Sequence, residues 1–377
     1  MTKPESDDLL SLFHLSTSDL IDQTLVFLEQ EDAPHYRRRN YLRSSSRSRV
    51  SAEARAKVAR WLADIVDYFS LQRQTVAVAM CYVDIFLSLR HVKAASEARR
   101  SVTKLQLLAL VCLSIATKSL EVAHLDVETL VHASQGCYCA DEIREMEMIV
   151  LNALQWRLCA PTSLPIAHRV IALLTKVVPR LTYGANNHNS LTSCLVEFTR
   201  LQIELAVTDY TSSVLRKPST VALASILNSM DLLDFDNREK RAFSRAMTEM
   251  FDLDIHSMGV RESRQELNEV FDRQSEDVMS RADSSRSSSR CRSTSSSMAS
   301  TVASSAASSF ASISYYSHAS QKGVDEPMHN DEPQTRRKST RSVGNKYAQR
   351  NSYYDDAGDS EIPKAAELFQ GFGNSRF

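Results

Sequence analysis

A chain of 377 residues is longer than one average domain, and its 43% apolar content is ample for a core. Lys and Arg total 45 against 46 Asp and Glu, so a net charge of -1 points to neither a nucleic-acid nor a membrane partner. With only 8 Gly and 9 Pro, the composition favours long helices with short connections over sheets with many tight turns. Seven cysteines, scattered and several inside apolar stretches, read as reduced thiols of a cytosolic or nuclear protein. The start lacks the basic-then-apolar order of a signal peptide. The longest apolar run, near 105–116, is shorter than the roughly 18 residues a membrane span needs.

Residues 7–30 are amphipathic, with Leu9, Leu12, Phe13, Leu20, Leu25, Phe27 and Leu28 on the apolar side. They predict one or two helices packing on the following domain, with Ser18 as an N-cap. A basic, serine-rich linker over 37–49 contains Arg37-Arg38-Arg39, which reads as a nuclear localisation patch or a solvated charge run. Arg39-Asn40-Tyr41-Leu42 also fits the loose Arg-x-x-Leu pattern of a degradation signal, short enough to arise by chance. From Ser51 the helical periodicity is strong. Ser51 caps a helix with Ala54, Val58, Trp61, Leu62, Ile65, Val66 and Phe69 on one face.

A second helix is expected over 74–89, and a third over 103–119 with Thr103 as its cap. The third is apolar nearly all round and therefore central. A short helix over 126–133, a loop with Gly136 and a helix over 141–155 complete a five-helix unit before Pro161. Helices over 164–176, 191–206, 218–229, 238–250 and 257–271 form a second such unit, with Pro218 in the first turn of one of them. The fold class is thus all-α. Its divisions are an N-terminal helical segment and basic linker (1–50), a first unit (51–160), a second (161–275) and a tail (276–377).

In the tail, 280–320 is dominated by serine with Arg281, Arg286, Arg290 and Arg292 interspersed, too poor in apolar residues to offset its chain entropy. Disorder and regulatory phosphorylation are the expectations there. An acidic stretch with Asp325-Glu326-Pro327 and Asp331-Glu332-Pro333 precedes Arg336-Arg337-Lys338-Ser339, which fits a basophilic kinase site. The end, with Leu368, Phe369 and Phe372, reads as a frayed tail or a short docking element.

Four segments stand out: Arg55-Ala56-Lys57-Val58-Ala59-Arg60-Trp61-Leu62, Tyr82-Val83-Asp84-Ile85-Phe86-Leu87-Ser88, Ser114-Ile115-Ala116-Thr117-Lys118-Ser119-Leu120-Glu121, and Met146-Glu147-Met148-Ile149-Val150-Leu151. Each is an apolar helical piece carrying charges that are costly to bury unless paired or presented to a partner. In order and spacing they resemble the motifs of the cyclin box. The resemblance covers 51–159 well and the second unit to about 250 more loosely, and it implies two tandem five-helix cyclin folds.

The resemblance implies a non-enzymatic regulatory subunit that binds and activates a cyclin-dependent kinase in cell-cycle control, in nucleus and cytoplasm. Substrates and inhibitors of that kinase would be further partners, without cofactor or metal. It assigns Lys118, Glu147 and Glu121 to kinase binding and Arg55 with Asp84 to an internal ion pair. Trp61, Asp64 and Gln106 fit the family's substrate-docking groove. The sequence departs from the family's pattern there. Ala54-Arg55-Ala56-Lys57-Val58 stands where many cyclins read Met-Arg-Ala-Ile-Leu, which puts docking of Arg-x-Leu motifs in doubt. Leu120-Glu121 keeps one acid of a usual pair, and Ile85 replaces an Arg. Leu154-Gln155-Trp156-Arg157-Leu158 and Cys112-Leu113-Ser114 resemble D-type or plant-type cyclins, although no Leu-x-Cys-x-Glu motif occurs.

The competing readings are a transcription- or RNA-processing-linked cyclin using the Ser/Arg tail, and a cyclin-like scaffold without kinase activation. Cys137, Cys139 and His132 are too few and too local for a zinc site, and no phosphate loop or nucleophile motif appears. DNA binding by tandem cyclin folds, as in a general transcription factor, lacks the expected Cys-x-x-Cys pair and basic balance.

Overall fold

The element that positions everything else in the first half is α6, Val102–Leu120, whose side chains from Leu105 to Thr117 are all buried. The computed structural model describes residues 4–43, 50–178, 180–181 and 191–287, with side chains described over 9–43, 50–178, 180–181 and 191–273. Among the described residues there is no β-strand. The expectations placed on 288–377 lie outside the described residues.

α6 has the length and apolarity of a membrane span, yet 72% of its apolar window is buried inside the protein. It packs against α4 (Arg73–Ser88), α8 (Ala140–Ala153), α3 (Ala52–Tyr68) and the short α5 (Lys93–Ala98), with α7 (Val127–Ala133) on α8. An apolar helix gains most where every face is covered, so it becomes the axis of the bundle. Ser51 caps α3 by accepting the Ala54 N–H at 3.0 Å. α6 starts earlier than the pattern suggested, with Ser101, not Thr103, accepting the Lys104 N–H. α5 escaped the periodicity reading because six residues show no period.

The second unit holds α9 (Ser163–Val177), α10 (Leu191–Thr208), α11 (Pro218–Leu232), α12 (Asn237–Phe251) and α13 (Met258–Ser287) around a separate core. α11 takes the central place that α6 has in the first unit. A π-helical turn, Thr211–Leu215, joins α10 to α11. α13 runs past Phe271 because the following residues include Glu, Met, Arg and Ala and no Gly or Pro.

The N-terminal helices correct an expectation. α1 (Pro4–His14) and α2 (Thr17–Asp32) pack on α9 in the second unit, not on the first, and Phe13 and Leu20 enter the second core. Ser16, not Ser18, caps α2. Polar anchors explain the choice. α11 has no side-chain cap of its own at Lys217, and the Glu31 carboxylate accepts the Ser219 N–H at 2.9 Å and its hydroxyl at 2.7 Å. A negative charge at a helix N-terminus complements the dipole. Lys217 pairs with Asp32 at 2.6 Å, and the Arg169 guanidinium lies 4.6 Å from the Phe27 ring centre. Burial pushes the Glu31 carboxyl up, with Ser219 opposing.

His168 on α9 is partly buried, and its Nε2 is buried without a hydrogen-bond partner. Burial, aided by Arg169 and Arg200, lowers its imidazole to about 4. The unfolded chain takes up this proton near pH 6.5 and the folded chain refuses it until about 4, so stability falls as pH drops through that window. Urea unfolding at pH 7 and pH 5 should show the wild type losing about 1–2 kcal/mol more than a His168→Leu variant. Equal losses in both proteins would contradict the assignment.

Candidate functional site

Two ion pairs of opposite character mark the first fold. The first is interior. Arg55 on α3 and Asp84 on α4 are each 1% exposed and meet side by side, Nε to Oδ1 at 2.9 Å and Nη2 to Oδ2 at 2.7 Å. The Tyr41 hydroxyl donates to the same carboxylate at 2.8 Å, and Arg55 Nη1 donates to the Val207 carbonyl of α10 at 2.8 Å. Burial works against the guanidinium's charge, but the Asp84 carboxylate outweighs it and holds the Arg55 pKa above its ordinary value. A buried pair persists only when its geometry and remaining hydrogen bonds are this complete.

The second pair is at the surface. Lys118 lies in the last turn of α6, where a cation complements the helix dipole, and its ammonium pairs closely with Glu147 on α8. Lys118 is 42% exposed and Glu147 18%. Large apolar side chains stand open beside them in sequence: Leu120 and Val122 follow Lys118, and Met148 follows Glu147. An ion pair bordered by exposed apolar groups suits a surface that another protein completes. The exposure of these three apolar residues was not read from the sequence, where the same period serves a core.

Glu121 does not join them. Its carboxylate turns to the start of α4, accepting the Gln72 N–H at 2.8 Å and the Thr75 hydroxyl at 2.6 Å. Gln72 supplies no side-chain cap, so Glu121 caps α4 from the end of α6. Of the residues assigned to substrate docking, Trp61 and Gln106 are buried at 2% and 8%. Gln106 accepts from the Tyr138 hydroxyl at 3.2 Å. Asp64 alone is partly open, its carboxyl raised first by burial and then by Asp67. The three therefore present no shared open groove in this conformation. Among the described residues no His, Cys, Asp or Glu cluster could hold a metal ion.

The linker contributes more than its charge suggested. Tyr41 is 2% exposed and meets Tyr210 edge-on at 5.2 Å, and Arg38 donates to the Ser213 carbonyl at 2.7 Å. Tyr41, inside the Arg-x-x-Leu match, is thus part of the interior. After α8 the chain reverses through Gln155 and Trp156, both at positive φ, which delivers the Leu158 carbonyl to the Tyr82 hydroxyl.

Replacing Arg55 by Ala strands the Asp84 carboxylate in the interior, and equilibrium urea unfolding should show a loss of about 3–5 kcal/mol. A loss below about 1 kcal/mol would mean that the pair is not a stability determinant.

The family profile described as "Cyclin, N-terminal domain" matches residues 23–159. Cyclin-B2-2 of Arabidopsis thaliana is 36% identical over 122 residues, covering 32% of this chain and 27% of that protein. G2/mitotic-specific cyclin-A of Hydra viridissima is 26% identical over 205 residues, covering 54% of this chain and 44% of that protein. The matches thus span less than half the length of these curated relatives, one a B-type cyclin of a plant and the other an A-type cyclin. An X-ray structure of a viral cyclin from herpesvirus saimiri aligns with 59% of this chain and 87% of its own, at 17% identity and a TM-score of 0.43.

Proposed function

The chain belongs to the cyclin family, and on that premise we propose that it is the regulatory subunit of a cyclin-dependent protein kinase in cell-cycle control, acting in nucleus and cytoplasm. Members of this family are non-catalytic, and so the chain supplies a surface and no reacting group. The observation that carries the reading is the Lys118–Glu147 pair, which joins the last turn of α6 to the middle of α8 with a half-open lysine, and whose sequence neighbours Leu120, Val122 and Met148 are exposed.

A pair whose lysine is open to water is screened on that side and contributes about 1 kcal/mol to its own fold. It is therefore cheap to open, and each member can exchange its partner for a charge on the kinase while the rigid helices beneath keep both in register. Activation then follows by differential binding. The surface binds one conformation of the kinase better than the other and shifts the population toward it. In a protein kinase, that favoured state is the one in which the regulatory-helix Glu meets its strand Lys and the activation loop orders. Glu121 serves the same surface indirectly, by tying the end of α6 to the start of α4.

The test is retrieval of a kinase from cell lysate, with its activity assayed, by the wild type, by Lys118→Ala/Glu147→Ala and by the charge swap Lys118→Glu/Glu147→Lys. The swap keeps the internal pair but reverses the field a partner meets. Both variants should melt like the wild type yet lose the kinase and its activity. Undiminished retrieval by both would overturn the assignment of this surface.

A further inference from the structure

Where the first unit meets the second lies a cavity of about 40 Å³ that the proposed kinase contact does not use. Distant parts of the chain line it: Arg38 of the linker, Cys81 and Asp84 of α4, Thr162 and Ser163 at the start of α9, and Ser212 of the π-helical turn. One buried water needs roughly 10–15 Å³, so the space is worth about three waters. It admits a small inorganic ion and is too small to enclose a nucleotide or a peptide.

The lining is rich in donors and poor in acceptors. Asp84 is its one carboxylate, and Arg55 and Tyr41 already engage both of that group's oxygens. Burial raises the Cys81 thiol, so it adds no negative charge. Arg216 also lines the wall, but Glu262 and Glu266 meet its charge. Arg38 differs. It is half-buried, donates to the Ser213 carbonyl at 2.7 Å, and has no carboxylate partner among the described residues. α9 has no side-chain cap at Thr162 and no acid in its first turn, so nothing there meets the partial positive charge of its start.

Ser212 adds an unmet donor. It is 2% exposed, and its Oγ has no hydrogen-bond partner. The groups around it are provided for: Asp209 accepts the Ser212 N–H at 2.8 Å, and the Ser213 hydroxyl donates to the Ala206 carbonyl at 2.7 Å. A buried hydroxyl without a partner is costly, and native folds keep few of them. This one sits on a π-helical turn, a distortion frequent at functional sites.

We propose that this cavity binds a small inorganic anion, chloride or phosphate, held by Arg38, the Ser212 hydroxyl and the N-terminal turn of α9. The anion meets donors that the chain leaves open. It also ties the linker, α9 and the π-helical turn together, beside the point where Arg55 reaches the Val207 carbonyl of α10. The junction between the units is thereby stiffened whether or not a kinase is bound.

Thermal melting of the full-length protein tests this, with chloride or phosphate replacing methanesulfonate at constant ionic strength and pH. An anion that binds only the folded state raises the melting temperature in step with its occupancy of the site. At least one of the two should do so in the wild type with a half-saturating concentration, and the anion that does is the occupant. General exclusion of phosphate from protein surfaces also stabilises, but without saturation and equally in every variant. Ser212→Ala and Arg38→Gln should each weaken the apparent affinity about tenfold, the loss expected for one hydrogen bond to a charged group. Ser212→Ala removes only an unpartnered hydroxyl, so in methanesulfonate it should melt no lower than the wild type. A melting temperature that no anion raises saturably would overturn the proposal and leave the cavity to water. An unchanged response in folded Ser212→Ala and Arg38→Gln would overturn it too, by placing the anion elsewhere on the chain.

Discussion

The Arg55–Asp84 pair is the constraint on which the first fold and its junction with the second depend. Removing two charges from water costs several kcal/mol per ion, and attraction alone rarely repays it. Here the cost is offset because every arm of the fork is used: two on Asp84 and one on the Val207 carbonyl, while Tyr41 takes the remaining demand of the carboxylate. One interaction therefore fixes α3 against α4, draws α10 of the second unit against both, and pins the linker. α4 in turn is the main neighbour of α6. The placement of Lys118 at the end of α6 is thus linked, through α4, to a pair buried in the interior.

A second recurring device is the remote carboxylate cap. α4 and α11 both begin at residues that offer no side-chain cap, Gln72 and Lys217. In each case a glutamate from elsewhere in the chain closes the helix start, Glu121 for α4 and Glu31 for α11. The device couples the end of α6 to the start of α4, and the N-terminal α2 to the central helix of the second unit. It converts a local requirement of helix termini into tertiary specificity. Against these interior contacts the Lys118–Glu147 pair is the one whose lysine reaches solvent, which is what a surface needs if it is to change partners.

The helices were legible because their apolar residues repeat at helical spacing over long stretches and Gly and Pro are scarce within them. α6 read as central because it is apolar nearly all round, whereas α11 was not read so, its buried length being interrupted by Ser225, Asn228 and Ser229. What the sequence did not reveal lies in contacts between distant positions. A short helix such as α5 has no period. The choice of α1 and α2 to pack on the second unit rests on Glu31 and Arg169 meeting partners far along the chain. Glu121 looks like any exposed acid beside Lys118 until the start of α4 is seen to lack its own cap. Tyr41 lay inside a polar, basic linker, and only the buried carboxylate of Asp84 explains its burial.

Amide hydrogen exchange on the chain, alone and bound to the kinase it retrieves, tests the central claim most directly. The account predicts added protection at 117–122 and 145–149, where α6 ends and Glu147 projects, with the interior around Arg55 and Asp84 unchanged. Protection confined to other surfaces, with these two segments unaffected, would contradict it.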